Sequence, residues 1–108
     1  ELSVKKFDYV RAERFFRRVV AFNERNAEAV LGLAVSLLRL DDVAAAKAWG
    51  ERAAQLAPRD PEARIVYGDI LRKLGEDQRA LMEWREAALL DPNHRDAKKR
   101  LARAGVTQ

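Results

Sequence analysis

Cysteine is absent from the 108 residues, and histidine and methionine occur once each. Without cysteine, neither a disulfide framework nor a thiolate metal site can form, and the redox state of the compartment stays open. The lone histidine, His94, follows Pro92 in a predicted turn and has no cysteine or nearby serine to act with. Zinc-ligand spacing, a glycine-rich phosphate loop and a nucleophile elbow are also missing. The sequence therefore predicts no cofactor, no metal and no enzymatic activity.

Long apolar runs are absent as well. The longest, from Ala29 to Leu38, is interrupted by Ser36, and ten residues are too few to span a bilayer. No signal peptide is visible, but the chain does not begin with methionine and is expected to be a piece of a larger protein. Abundant alanine and arginine suggest a bacterial source, and the localisation, cytoplasmic or periplasmic, is left open.

The composition is that of one folded, helical, well-solvated domain, with 48% apolar and 35% charged residues. The formal net charge of +4 is unevenly distributed. Basic residues exceed acidic ones in the segments 1–26 and 95–108, whereas the two middle segments are slightly acidic. Basic ends suit an acidic partner or nucleic acid, although solvated helix faces alone explain such charges too.

A period of 34 residues is written twice in the middle of the chain, and Pro58 and Pro92 stand one period apart. The same offset relates Glu28 to Glu62, Ala29 to Ala63, Leu37 to Leu71, Leu40 to Leu74, Ala46 to Ala80, Ala53 to Ala87, Ala54 to Ala88 and Leu56 to Leu90. A fixed period of this length predicts a stacked helical repeat array. Such arrays expose an extended surface that binds another chain.

Capping residues and helix breakers divide the chain into six predicted helices. They run from Asp8 to about Phe22, Asn26 to about Leu40, Asp42 to before Pro58, Asp60 to Gly75, about Asp77 to Leu90, and about Arg95 to Ala104. Connections this short make neighbouring helices antiparallel. No segment alternates with a period of two, so no strand is predicted.

The small and large apolar positions of these helices resemble the tetratricopeptide repeat (TPR). In the second copy the pattern comprises Tyr67, Gly68, Leu71, Gly75, Ala80, Trp84, Ala87 and Pro92. In the first copy it comprises Leu33, Ala34, Leu37, Ala46, Ala53 and Pro58. A half copy precedes these, with Asp8, Tyr9, Ala12, Phe16, Val19 and Phe22, and the tail begins another at Asp96, Ala97, Leu101 and Ala102.

The resemblance implies an all-α fold, a right-handed α-solenoid of antiparallel helix pairs. Residues 1–26 would be the second helix of a preceding repeat, 27–60 and 61–94 two repeats, and 95–108 a C-terminal capping helix. Gly50 departs from the family pattern, which usually has an aromatic residue there, and a mid-helix glycine costs about 1 kcal/mol relative to alanine. Arg64 and Val30 replace the family's frequent tryptophan. These departures concern the local packing around the third helix and not the fold.

The resemblance also implies a concave face lined by the first helix of each pair, on which a partner binds. Carried over by position, this face presents Glu28, Leu31, Val35, Leu38 and Arg39, then Glu62, Ile65, Asp69, Arg72 and Lys73, and finally Lys99, Arg100 and Arg103. The expected partner is an amphipathic helix or extended peptide with apolar anchors and an acidic end. Alternatively, a missing upstream repeat or a loop covers the apolar part of the face.

The first helix has more apolar residues than one neighbouring helix can cover. Phe7, Val10, Phe15, Phe16 and Val19 are therefore expected to contact a missing upstream repeat or a second copy of the chain, which would form a homo-oligomer. The polar outer face of the last helix predicts that the array ends there.

Three functions stay open at this point. The first is a protein–protein interaction module that acts in scaffolding, assembly or tethering. The clamp for acidic chaperone tails is not expected, because Leu31, Val35 and Val66 replace its Lys and Asn residues and only Arg100 is in place. The second is a helical repeat that binds nucleic acid, which the basic ends suggest but the apolar Leu31 and Val35 disfavour. The third is an accessory domain of a multidomain enzyme.

Overall fold

Six α-helices make up most of the chain in a computed structural model that describes residues 2–105, with side chains from Lys5 onward. The helices are α1 (Leu2–Phe22), α2 (Ala27–Arg39), α3 (Val43–Leu56), α4 (Pro61–Lys73), α5 (Asp77–Leu90) and α6 (Arg95–Arg103). Over this range there is no strand, and the predicted all-α class is confirmed. Within the same residues, no helix combines the length and the apolar character needed to cross a membrane.

Side-chain caps determine where the inner helices begin. Asn26 accepts a hydrogen bond from the Ala29 amide at 3.1 Å, and Asp60 accepts one from the Glu62 amide at 3.0 Å. Such caps satisfy backbone amides that have no partner within the helix, and each is worth about 1 kcal/mol. Pro61, which has no amide hydrogen to leave unpaired, follows Asp60 at the first helical position of α4.

The predicted start of α1 at Asp8 is wrong, because the helix begins at Leu2 and Asp8 lies within it. Asp8 has a good helix-starting side chain, but no glycine or proline precedes it to interrupt the helix. The residues before it continue the helix, so α1 is 21 residues long. The other five helices begin within one or two residues of the predicted positions.

The helices pack mainly on their neighbours in the chain. α1 contacts α2, α2 contacts α3, and the same holds through α5 and α6. In addition, α2 contacts α4, so the first helices of successive pairs lie side by side. The helix pairs α2–α3 and α4–α5 therefore stack one behind the other, and α6 packs on α5.

The core follows this stacking. Val30, Leu33 and Leu37 on α2 are fully or nearly fully buried in one cluster that draws residues from α1 to α4. A second cluster joins Tyr67 and Leu71 of α4 to Trp84 of α5 and Leu101 of α6. Truncation of a buried leucine in such a core costs about 2–5 kcal/mol.

Two glycines allow close contact between helices. A Cβ atom at Gly68 would lie 2.6 Å from the Trp84 indole nitrogen, so the indole packs directly on the α4 backbone. A Cβ atom at Gly50 would lie 2.7 Å from Cδ1 of Ile70, which is fully buried. Ile70 thus packs directly on the α3 backbone at Gly50, the position that departs from the family pattern.

Candidate functional site

A depression of about 1060 Å³ crosses the ends of α2, α4 and α6. Its lining comprises Leu38, Arg39, Asp41, Asp69, Arg72, Lys73, Trp84, Asp96, Lys99, Arg100 and Arg103. Eight of these eleven residues belong to the thirteen predicted for the inner face. The prediction missed Asp41, Trp84 and Asp96, which come from the turn after α2, from α5 and from the first turn of α6.

The repeat itself brings these residues together. Leu38 and Arg72 are one period apart, as are Arg39 and Lys73, and as are Asp69 and Arg103. Because α2, α4 and α6 are the first helices of successive units, equivalent positions on them fall in one row across the stack. The repeat register therefore creates the depression.

Four predicted residues lie on the inner helices but outside this depression. Leu31 and Val35 are half-buried on α2, while Glu28 and Glu62 are exposed in the first turns of α2 and α4. Leu31 and Val35 are not sealed in the core, and they extend the inner face of α2 as half-buried apolar groups.

The placement of Ile65 on the inner face is wrong. Its side chain is only 3% exposed and packs with Ala87 of α5 and Ala97 of α6. Leu31, one period earlier, stays half-buried. α6 packs across this part of α4 and buries Ile65, which is a core residue here.

An ion pair spans the floor of the depression. Arg100 of α6 donates through Nε and Nη2 to the two carboxylate oxygens of Asp69 on α4, at 2.6 and 2.8 Å. Trp84 Nε1 donates to the same carboxylate at 3.1 Å. The hydrogen bond to Asp69 raises the pKa of the Arg100 guanidinium. Arg100 is the one residue of this chain that matches the clamp for acidic chaperone tails. It is thus already engaged by a carboxylate of the same chain.

The remaining cations of the depression are much less engaged. Arg72 lies 3.6 Å from Asp77 and Lys73 lies 4.0 Å from Asp41, and all four side chains are exposed. Exposed pairs at such distances contribute less than about 1 kcal/mol. Arg39, Lys99 and Arg103 have no ion-pair partner among residues 5–105. With six cations and three carboxylates in its lining, the depression is electropositive.

His94 joins α4 to α6 at the edge of this surface. Its Nδ1 accepts a hydrogen bond from the Ala97 amide at 3.4 Å, and its Nε2 lies 2.7 Å from a Glu62 carboxylate oxygen. Because Nδ1 accepts, the proton of the neutral ring is assigned to Nε2, which donates to Glu62. His94 is thus a helix cap as well as the turn residue predicted. The 34-residue period indicates this capping role, because Asn26, Asp60 and His94 occupy equivalent positions and each caps a helix.

Glu62, His94 and Asp96 also form a cluster whose potential metal-ligand atoms lie within 4.8 Å of one another. A metal on Nε2 would leave the ring proton on Nδ1, where it would face the Ala97 amide hydrogen. Metal binding would therefore cost the α6 cap. The observed hydrogen bonds fit a structural link between two helix starts better than a metal centre.

The residues predicted for self-association fall into two groups on α1. Phe16 and Val19 pack against the core cluster around α2, and a Cβ atom at Gly32 would lie 2.5 Å from the Phe16 ring. Phe7 and Phe15 are 61% and 52% exposed, and Val10 is half-buried. Only part of the predicted set is therefore accessible to another chain.

No family model matches the chain, and no curated protein matches it in sequence. Solved structures do resemble it. The TPR domain of Arabidopsis OM64 has a TM-score of 0.84 and 22% identity over 94% of this chain and 84% of its own. The second TPR domain of human RPAP3, in complex with an HSP70 peptide, has a TM-score of 0.85 and 22% identity over 96% and 87%.

The likeness extends to a bacterial chaperone. SycD of Yersinia enterocolitica, a type III secretion chaperone in complex with a peptide of the translocator YopD, has a TM-score of 0.78 and 18% identity. That match covers 94% of this chain and 78% of SycD. The resemblance in the repeat pattern and these structural likenesses agree: the chain has the TPR fold, a right-handed α-solenoid of helix pairs.

Proposed function

We propose that this chain is a protein–protein interaction module that binds a peptide or helix of a partner in the depression across α2, α4 and α6. The observation that carries this proposal is the row of cations from three successive inner helices, with Arg39, Lys99 and Arg103 unengaged among the described residues. In this proposal residues 27–60 and 61–94 are two repeats, residues 1–26 complete an earlier one, and residues 95–108 cap the array.

The structural neighbours support a peptide partner. The second TPR domain of human RPAP3 forms a complex with an HSP70 peptide, and SycD forms one with a YopD peptide. Catalysis has no place in the proposal, since the lining residues with the strongest contacts, Asp69 and Arg100, neutralise each other. A role in scaffolding, assembly or tethering follows from binding alone.

The lining indicates the chemistry of the partner. Cations around the rim favour a segment that carries several carboxylates, and Leu38 and the half-buried Leu31 and Val35 offer apolar contacts along α2. An amphipathic acidic segment meets both demands. A single terminal carboxylate does not meet both demands, because Arg100 is already held by Asp69 and offers it no free guanidinium.

A binding assay with a defined probe tests the proposal. The probe is a fluorescein-labelled helical peptide with leucine on one face and glutamate on the other, and its anisotropy is followed as protein is added. Arg72→Glu is expected to weaken binding about ten-fold, because it replaces attraction with repulsion inside the depression. Arg85→Glu, the same charge change at an exposed position of α5 outside the depression, should leave binding nearly unchanged.

Two further measurements separate this function from the alternatives. Val35→Glu should weaken peptide binding as well if the apolar part of α2 takes part. Mixed-sequence RNA is titrated in parallel from low to high salt. If RNA binds more tightly than the peptide and Arg72→Glu abolishes that binding, a nucleic-acid-binding repeat replaces the present proposal.

A further inference from the structure

The outer face of α1 carries a stripe of phenylalanine and arginine side chains. This α1 stripe consists of Phe7, Arg11, Arg14, Phe15, Arg18 and Phe22. Each member lies three or four residues from another, so all six share one side of the helix. All six are exposed, and Phe22 is 94% exposed. The opposite side of α1 packs on α2 through Phe16 and Val20, so the α1 stripe has no part in the core.

The repeat reveals what normally covers this face. Trp49 and Leu56 of α3 are one period after Phe15 and Phe22, and both are half-buried against the core cluster that α2 dominates. On α5 the equivalents are Glu83 and Leu90. Leu90 is half-buried, and Glu83 accepts a hydrogen bond from Arg64 of α4 at 3.0 Å. The equivalents of Phe15 and Phe22 are thus half-buried in both units, whereas Met82 and Glu86, the α5 equivalents of Arg14 and Arg18, are exposed.

A helix that covers α1 cannot be attached by the short turn used elsewhere in the repeat. Phe7 and Asp8 are one period before Asp41 and Asp42, where the chain turns between α2 and α3. At Phe7 and Asp8 the chain is helical instead, because α1 continues back to Leu2. A covering helix would therefore need a connection different from the turn between α2 and α3.

The charges of the α1 stripe define that helix. Arg14 and Arg18 have no carboxylate partner among residues 5–105, and Arg11 lies over the Phe7 ring at 5.6 Å. A second copy that presented its own α1 stripe would bring like charges together. In the next unit, Arg52 is the equivalent of Arg18, and it donates to the carbonyl and the carboxylate of Glu24 just before α2. An acidic residue is thus the natural partner for Arg18.

We propose that the α1 stripe is a second docking surface, distinct from the depression, which binds an acidic amphipathic helix of a partner protein. The helix packs antiparallel to α1, as α2 packs on α3. Its apolar residues cover Phe15 and Phe22, and carboxylates near its start meet Arg18 and its neighbours.

The probe is a labelled peptide of residues 23–40 of this chain with Arg25→Glu and Arg39→Glu. The peptide keeps Glu24 and the α2 residues that pack on α3, and the two substitutions give it a negative net charge. We expect saturable binding that Arg18→Glu and Phe15→Glu each weaken about ten-fold, by charge reversal and by loss of apolar contact. Arg72→Glu in the depression and Arg85→Glu on α5 make the same charge change away from α1. Each should alter the affinity for the peptide less than two-fold. A peptide that also carries Glu24→Lys should bind more weakly.

Several outcomes would overturn the proposal. The proposal fails if the peptide does not bind at low salt. It also fails if the Phe15→Glu protein binds the peptide as tightly as the unchanged protein does. A concentration-dependent dimer that Phe15→Glu dissolves would overturn it as well, since the occupant would then be a second copy. Binding to phosphatidylserine vesicles that Phe15→Glu abolishes, without peptide binding, would identify a membrane surface instead. Circular dichroism checks each variant, and because Phe15 and Arg18 are exposed, the helical content should be unchanged.

Discussion

The turns that end α2 and α4 occupy equivalent positions but use different residues. Gly75, after α4, has φ of 83°, and Asp41, one period earlier, has φ of 67°. Glycine adopts this left-handed region without cost, whereas a residue with a Cβ atom is strained there by about 1–2 kcal/mol. The first unit therefore stores backbone strain that the second unit avoids.

Replacement of this single residue should stabilise the protein. Asp41→Gly is expected to raise the free energy of unfolding by about 0.5–1 kcal/mol, because the relief of strain exceeds the added flexibility of the unfolded chain. The lost contact to Lys73 is long, at 4.0 Å, and exposed, so it offsets little of this gain. Urea unfolding followed by circular dichroism measures the change.

The equivalent position provides the control for Asp41→Gly. Gly75→Asp should lower the free energy of unfolding by a similar amount, since it introduces the same strain. If Asp41→Gly lowered the stability, the aspartate would have to make a contribution that its single long contact does not explain.

Single residues were predictable from the sequence where their role is local. Asn26 and Asp60 are caps as expected, because a cap depends only on its own helix start. His94 was missed as a cap since histidine is uncommon there, although its period position indicated the role. Ile65 was misplaced because its burial depends on α6, which lies far along the chain.

At the scale of helices, Glu76 links two successive hairpins. It lies just before α5 and makes no cap hydrogen bond. Its carboxylate instead accepts hydrogen bonds from Arg79 of α5 at 2.8 Å and from Lys47 of α3 at 3.2 Å. The hydrogen bond from Arg79, followed by that from Lys47, lowers the pKa of Glu76 below its usual value of 4.5.

This lowered pKa makes part of the stability depend on pH. The folded state binds a proton at Glu76 less readily than the unfolded state, so the contribution is complete above about pH 4.5. It is lost as the pH falls below 4.5 and through the lower pKa of the folded state. Glu76→Gln should therefore lower stability at pH 7 but have little effect at pH 3, as measured by thermal unfolding at both values.

A glutamate within α5 serves as the control for Glu76→Gln. Glu86 is exposed and has no ion pair among the described residues, so Glu86→Gln should change the melting temperature equally little at both pH values. If Glu76→Gln lowered the melting temperature equally at pH 3 and pH 7, the side chain would act through packing rather than charge.

Most helices were predictable because their patterns are short-range. α2 to α6 begin and end at caps, prolines and glycines that a reading of ten to fifteen residues reveals. α1 was misjudged at its start, since Asp8 resembles a cap and nothing in its neighbourhood shows that the helix continues upstream. The depression was predictable for eight residues, whereas Trp84 and Asp96 reach it through the packing of α5 and α6 on α4.

Over the whole molecule, the chain behaves as a short linear array rather than as one globular core. Each helix packs chiefly on the helices next to it, and among residues 2–105 the further contacts join α2 to α4 and α4 to α6. In such an array stability is close to a sum of unit terms and neighbour terms. A defect at one end is therefore expected to loosen that end first.

Leu101 offers a test of this linear behaviour. It is 1% exposed and connects α6 to Tyr67, Leu71 and Trp84, so Leu101→Ala should cost about 2–5 kcal/mol locally. Hydrogen exchange should show lost protection in α6 and α5 while α2 stays protected. Leu33→Ala, at the centre of the larger cluster, should instead lower protection throughout α1 to α4. If both variants reduced protection equally in every helix, the six helices would unfold as one unit, and the depression and the α1 stripe would be energetically coupled. Independent ends would leave each surface able to bind its partner without help from the other.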